Sequence, residues 1–93
     1  MPRYLTLIRF TEQGVKNPKQ SPTRAFAFAK AARKAGVSVE AQYWTLGSCD
    51  GVLILSGEEK KVLHSIAQLA SLGQVRTETL PAFEALEFRA IVG

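Results

Sequence analysis

Tyr43-Trp44-Thr45-Leu46-Gly47-Ser48-Cys49-Asp50-Gly51-Val52-Leu53-Ile54-Leu55 reads as a strand, a tight turn and a second strand. Asp50, following Gly47, is a residue type that turns favour, because its short side chain can bond nearby backbone. Successive side chains of a strand point to opposite faces, so Val52 and Ile54 lie on one side and Leu53 and Leu55 on the other. Both sides are apolar, and a strand of that kind is covered on both. The chain is too short to build both covers, so a second copy of it is expected to provide one.

Working outward, residues 3–10 place Tyr4, Thr6, Ile8 and Phe10 on one face and Leu5 and Leu7 on the other before Arg9, a second strand largely buried on both sides. Residues 11–20 are polar, carry Gly14 and Pro18, and read as a loop. Ser21-Pro22 opens a helix, with Ser21 as the expected cap and Pro22 in the first turn, where no N–H is needed. Its inner stripe is Ala25, Phe28, Ala29, Ala32 and Ala35, with Arg24, Lys30, Arg33 and Lys34 mostly opposite, and Gly36 ends it. Val37, Val39, Ala41, Tyr43 and Thr45 alternate with more polar neighbours, the pattern of a half-covered strand. Gly57-Glu58-Glu59 begins a second helix whose acids suit the positive end of the helix dipole. Val62, Ile66, Leu69 and Ala70 are its expected inner stripe with Leu63 alongside, and Gly73 stops it. Residues 74–80 form a last strand that Pro81 is expected to end. Residues 82–92 read as a short C-terminal helix or extension with Phe83, Leu86 and Ala90 inward.

The order strand, helix, strand, strand, helix, strand predicts an α+β fold, the ferredoxin-like βαββαβ arrangement with a four-stranded antiparallel sheet, as a single domain over residues 1–93. In it the first and third strands are central, and residues 3–10 and 51–56 are the more apolar strands. Both helices then cover one sheet face. The large apolar groups left on the other face mark an interface, and packing two such faces together gives a dimeric α/β barrel.

Hydrophobic residues make up 46% of the chain and charged residues 22%, the balance of a folded domain rather than a disordered one. The net charge is +4, but the basic residues are scattered, with no run longer than the pairs Arg33-Lys34 and Lys60-Lys61. A nucleic-acid footprint needs a clustered stripe, so no nucleic-acid partner is expected. No apolar run reaches the length of a membrane span, and residues 1–9 do not resemble a secretory signal, so the expected location is the cytoplasm. A single cysteine excludes an internal disulfide and, with a single histidine, offers no metal framework; no metal or cofactor is expected.

The stretch Tyr43 to Asp50, the later Val75-Arg76-Thr77-Glu78-Thr79-Leu80 and the opening Arg9-Phe10-Thr11-Glu12-Gln13-Gly14 together resemble the GYD domain family, and the likeness spans nearly the whole chain. It implies a small ferredoxin-like protein of the dimeric α/β-barrel class and names no reaction. Two positions depart from the family pattern: Cys49 stands where an aromatic, usually Tyr, precedes the Asp, and Pro81 stands where an Arg often follows Leu80.

No phosphate loop, CxxC, HExxH or GxSxG is present, so catalytic residues are not assigned. His64 falls on the wet face of its helix beside Lys60, Lys61 and Gln68, which favours a surface role over a general base. Cys49 is a turn thiol or a nucleophile; Asp50 beside it disfavours a thiolate. Asp50 is either a turn residue or a ligand contact at a loop end. Tyr43 and Trp44 point to opposite faces of one strand, one toward the helices and one toward the interface or a pocket mouth. Arg76 and Glu78 share a face of the last strand near Arg9, either as a surface ladder or as an anion site built from Arg9 and Arg76. The candidate ligand-binding residues are therefore Arg9, Glu12, Tyr43, Trp44, Asp50 and Arg76. The leading reading is a non-catalytic homodimer, or a higher oligomer, that binds a small molecule between sheet and helices. The alternative, drawn from related barrels, is a cofactor-independent monooxygenase-like or isomerase-like enzyme with Tyr43, Trp44, Arg76 and Glu12 at its pocket.

Overall fold

The structure, a computed structural model, describes residues 2–93. Four strands, β1 (Arg3–Phe10), β2 (Ser38–Trp44), β3 (Gly51–Ser56) and β4 (Val75–Ala82), form one sheet in the order β2-β3-β1-β4, with every neighbouring pair antiparallel. Two long helices, α2 (Ser21–Lys34) and α3 (Glu59–Ser71), cross between strands; α2 packs against β2 and α3 against β4. This is the ferredoxin-like arrangement, and the two most apolar strands are central, as the sequence implies.

The pairing register assigns each residue a face. Tyr4, Thr6 and Ile8 of β1 lie beside Leu55, Leu53 and Gly51 of β3, and all six are buried beneath the helices. Leu5 and Leu7 lie beside Ile54 and Val52 on the opposite face, which no helix covers, and these four are only half-buried. On the helix side, Leu55 has no exposed surface, and Val37, Val62 and Ala32 are nearly as deep. Removing a leucine side chain of that size from water contributes about 1.5–3 kcal/mol. The hydroxyl of Thr6, also fully buried, is satisfied by Thr79 across the β1–β4 pair at 2.9 Å.

The end of α2 follows from its glycine. Gly36 takes φ +88°, a left-handed conformation that an L side chain resists. That turn lets Gly36 N–H donate to the Arg33 carbonyl at 3.0 Å and Val37 N–H to the Ala32 carbonyl at 2.8 Å. Ala32 and Val37, each 1% exposed, meet beneath the turn, so a single motif caps the helix and aims the chain into β2.

Several expectations are corrected. Residues 11–20 are not a plain loop: Glu12–Val15 form a one-turn helix, α1, whose Gly14 N–H donates to Thr11 Oγ1 at 3.1 Å, and Pro18–Gln20 form a 3-10 turn. That turn runs directly into α2, so Ser21 is the first helical residue rather than its cap. Strict alternation along β2 is broken by a bulge between Val39 and Ala41, which puts Val39, Gln42 and Trp44 on the helix side and Ala41 and Tyr43 on the open side. In α3 the inner stripe is Val62, Ser65 and Ile66 with Leu69 half-buried, while Ala70 and Leu63 are exposed, because the helix is rotated slightly toward Ser65. Pro81 does not end β4: it pairs with Tyr4, and the strand continues to Ala82. An edge strand tolerates proline where the missing N–H would have faced solvent.

The C-terminal helix α4 (Ala85–Val92) forms, but it does not turn inward: none of its residues is buried, and Phe83, Leu86 and Ala90 are all exposed. Its start is held by the Glu87 carboxylate, which accepts the Glu84 N–H at 2.9 Å, and by Arg3, which donates to Glu84 Oε1 at 2.6 Å. Leu86, Phe88, Ile91 and Val92 are left in solvent.

Candidate functional site

Two features could serve function: a cavity on the helix side of the sheet and the bare face opposite. The cavity, of about 80 Å³, lies between the sheet and the helices α2 and α3. Its walls are chiefly apolar, from Ile8, Phe10, Phe28, Leu53 and Leu69, because α2 offers mostly alanine to the sheet and leaves room above it. Its polar lining residues are Ser21, Arg24, Gln42, Tyr43, Trp44, Asp50 and Gln74.

Most of these polar groups have internal partners. Trp44 Nε1 donates to Ser21 Oγ at 2.9 Å, so the serine expected to cap α2 instead ties the helix start to β2. Gln42 Nε2 donates to the Ala25 carbonyl at 3.2 Å, another link from β2 to α2. Asp50 Oδ2 accepts the Phe10 N–H at 2.8 Å, and Asp50 N–H donates to the Ile8 carbonyl at 2.7 Å. This aspartate therefore fastens the β2–β3 connection to the end of β1, a longer reach than a turn bonding its own backbone. Arg24 differs: its Nη2 is buried and has no hydrogen-bond partner among the described residues.

Of the sequence-derived candidates, Trp44 and Asp50 contribute side chains on the helix side, where the cavity lies. Tyr43, 62% exposed, falls on the open face in the register but also borders the cavity. Arg9 and Arg76 also lie on the open face, directly opposite each other in the β1–β4 register. Arg9 is engaged: Nε donates to the Ser48 carbonyl at 2.9 Å, and a guanidinium nitrogen sits 3.9 Å from Glu78. Glu12 is exposed in the first turn of α1, apart from both groups. Tyr43, Trp44, Arg76 and Glu12 thus do not converge on one pocket: Tyr43 and Trp44 both border the cavity, whereas Arg76 and Glu12 lie away from it.

Arg24 is absent from the sequence-derived candidates because it reads there as part of the wet face of α2. The one signal the sequence holds is spacing: Arg24 and Phe28 are four residues apart and so share one side of the helix. His64 is exposed on α3, and Cys49 is half-buried with Sγ 3.5 Å from Thr45 Oγ1. Among the described residues no three His, Cys, Asp or Glu side chains gather as a metal would require, and no helix is long and apolar enough to cross a membrane.

The open face has a layered character. Leu5, Leu7, Val52 and Ile54 form its centre, with Ala41, Leu80 and Tyr43 toward the edge strands. Charges ring it. At one end Arg3 bridges Glu84 and Glu40, 3.4 Å from the latter; at the other stand Arg9, Arg76 and Glu78. The Ser56 hydrogen bond, and then Arg3, hold the Glu40 carboxyl below its ordinary range. The Arg3 guanidinium is pushed up, first by its hydrogen bond to Glu84.

A four-stranded antiparallel sheet backed by two helices on one face only, with βαββαβ connections, defines a ferredoxin-like domain. Within that class the chain belongs to the GYD domain family, whose model matches residues 4–92. A Thermus thermophilus protein described as a glutamine synthetase and cystathionine beta-lyase binding protein is 34% identical over 84 residues, which span 88% of each chain. A crystal structure of a Thermus thermophilus protein matches with a TM-score of 0.58 at 27% identity, covering 91% of this chain and 96% of that one.

Proposed function

We propose that this is a non-catalytic cytoplasmic binding protein that works as a homodimer, with the bare sheet face as the subunit contact and the cavity between sheet and helices receiving a small molecule. The carrying observation is the open face itself. Half-covered leucine, valine and isoleucine on two central strands, ringed by arginines and glutamates, have the apolar centre and polar rim of a protein interface. α4, whose start is tied to Arg3 through Glu84, carries further exposed apolar residues. A role in holding partner proteins is supported by the description of the Thermus thermophilus relative as an enzyme-binding protein.

The test is Ile54→Lys, at the centre of the open face and away from the core. Full burial of isoleucine contributes about 1.5–3 kcal/mol, and a twofold contact counts each loss twice. Ile54 is already partly covered, so the loss is about 1 kcal/mol per subunit, and a buried unpaired lysine adds to it. The dimer dissociation constant is therefore expected to rise by about 100-fold or more, with the circular dichroism of the fold retained. A sedimentation profile identical to that of the unaltered protein would overturn the reading.

A further inference from the structure

We infer that the cavity selects small monocarboxylates with a short apolar chain, Arg24 receiving the carboxylate. This rests on the proposal that the cavity takes a small molecule. Arg24 Nη2 is buried, lacks a hydrogen-bond partner among the described residues, and belongs to a side chain that lines the cavity. A guanidinium nitrogen taken out of water without a partner is unfavourable, and a bound carboxylate removes that penalty. The planar fork of arginine matches the two oxygens of a carboxylate, which an ammonium does not.

The remaining groups agree with this class. Asp50, the other charged side chain lining the cavity, is turned to the backbone N–H of Phe10, and among the described residues no ion pair joins it to Arg24. The guanidinium charge is thus uncompensated. Ser21 Oγ accepts from Trp44, which leaves its own O–H as a second donor at the cavity wall. The walls of Phe28, Leu53 and Leu69 suit an alkyl chain rather than a second polar group. Size limits the ligand: about 80 Å³, at roughly 10–15 Å³ per water-sized group, admits about six such groups, the size of butyrate with its carboxylate.

Trp44 is the only tryptophan and lines the cavity, so its fluorescence and its indole N–H resonance both report occupancy. Butyrate and its neutral analogue butyramide are titrated at constant ionic strength into the unaltered protein, Arg24→Met and Arg24→Lys. A saturable Trp44 response to butyrate is expected, at least about tenfold weaker for butyramide and for Arg24→Met, with Arg24→Lys in between. The comparison of the two ligands on the unaltered protein needs no variant to fold. Equal affinity for butyramide and butyrate would overturn charge selection while leaving a small-molecule cavity in place. Silence of Trp44 toward both would remove the cavity reading as well.

Discussion

Replacing Asp50 by alanine tests how the β2–β3 connection is fastened to the rest of the sheet. The substitution removes one acceptor, Oδ2, which lies 2.8 Å from the Phe10 N–H in a part-buried position. The backbone bonds of Asp50 to Ile8 and Thr45, at 2.7 and 3.0 Å, do not depend on its side chain. The expected loss is therefore that of a single charge-assisted bond whose donor stays behind unpartnered, about 1–3 kcal/mol. For a domain of this size that corresponds to a fall in Tm of about 4–20 °C. Asp50→Asn keeps an acceptor oxygen without its charge and is expected to lose about half as much. The assay is urea unfolding of the three proteins at one fixed protein concentration, since association would couple the midpoint to concentration. Amide exchange of Phe10 localises the effect. If Asp50→Ala leaves both the urea midpoint and the Phe10 protection unchanged, the fastening role assigned to this carboxylate is wrong.

Other consequences are equally direct. Gly14→Ala would drive a Cβ into the Gln74 carbonyl oxygen, a clash with backbone that no rotamer relieves, so α1 must move away from the start of β4. A loss of about 1–3 kcal/mol in urea unfolding is expected, and an unchanged midpoint would refute the close approach. Glu40, with its carboxyl held low in the folded state, contributes stability above its ordinary value of 4.5 that is lost as the pH falls through the folded value. Unfolding midpoints measured from neutral to acid pH should therefore fall less steeply for Glu40→Gln than for the unaltered chain; parallel curves would contradict this. The Tyr4 hydroxyl is pushed up, chiefly by burial and then by Glu59, so its contribution is complete below its ordinary value of 10.0 and is lost as the pH rises through the folded value. In a Tyr43→Phe background, alkaline absorbance titration should show Tyr4 ionising above 10.0, and ionisation at or below that value would count against it.

Much of the fold was legible because period and composition agree. The two-sided apolar strands β1 and β3 could only be central, and Gly36 and Gly73, at φ +88° and +77°, stop their helices where the pattern places them. What escaped reading was local. The bulge at Glu40 leaves no mark in the alternation of Val39 and Ala41, yet it decides which side of the sheet each occupies. Pro81 suggested an end to β4, but an edge strand has one side that needs no donors. The apolar stripe of α4 suggested burial, yet none of its residues is buried among the described residues. The cavity was less legible still. Trp44 and Asp50 were identifiable as unusual residues near a turn, whereas Arg24 looks like any helix cation until its buried nitrogen is seen without a partner. Arg9 and Arg76 are neighbours, as strand order implies, but on the face away from the cavity.

Sedimentation equilibrium of the unaltered protein, run across a wide concentration range, bears most directly on the open sheet face as a subunit contact. Twice the chain mass of 10.2 kDa is expected, reached at concentrations where Ile54→Lys sediments as a single chain. A mass of 10.2 kDa at every concentration, with Leu5, Leu7, Val52 and Ile54 left in water, would contradict the account.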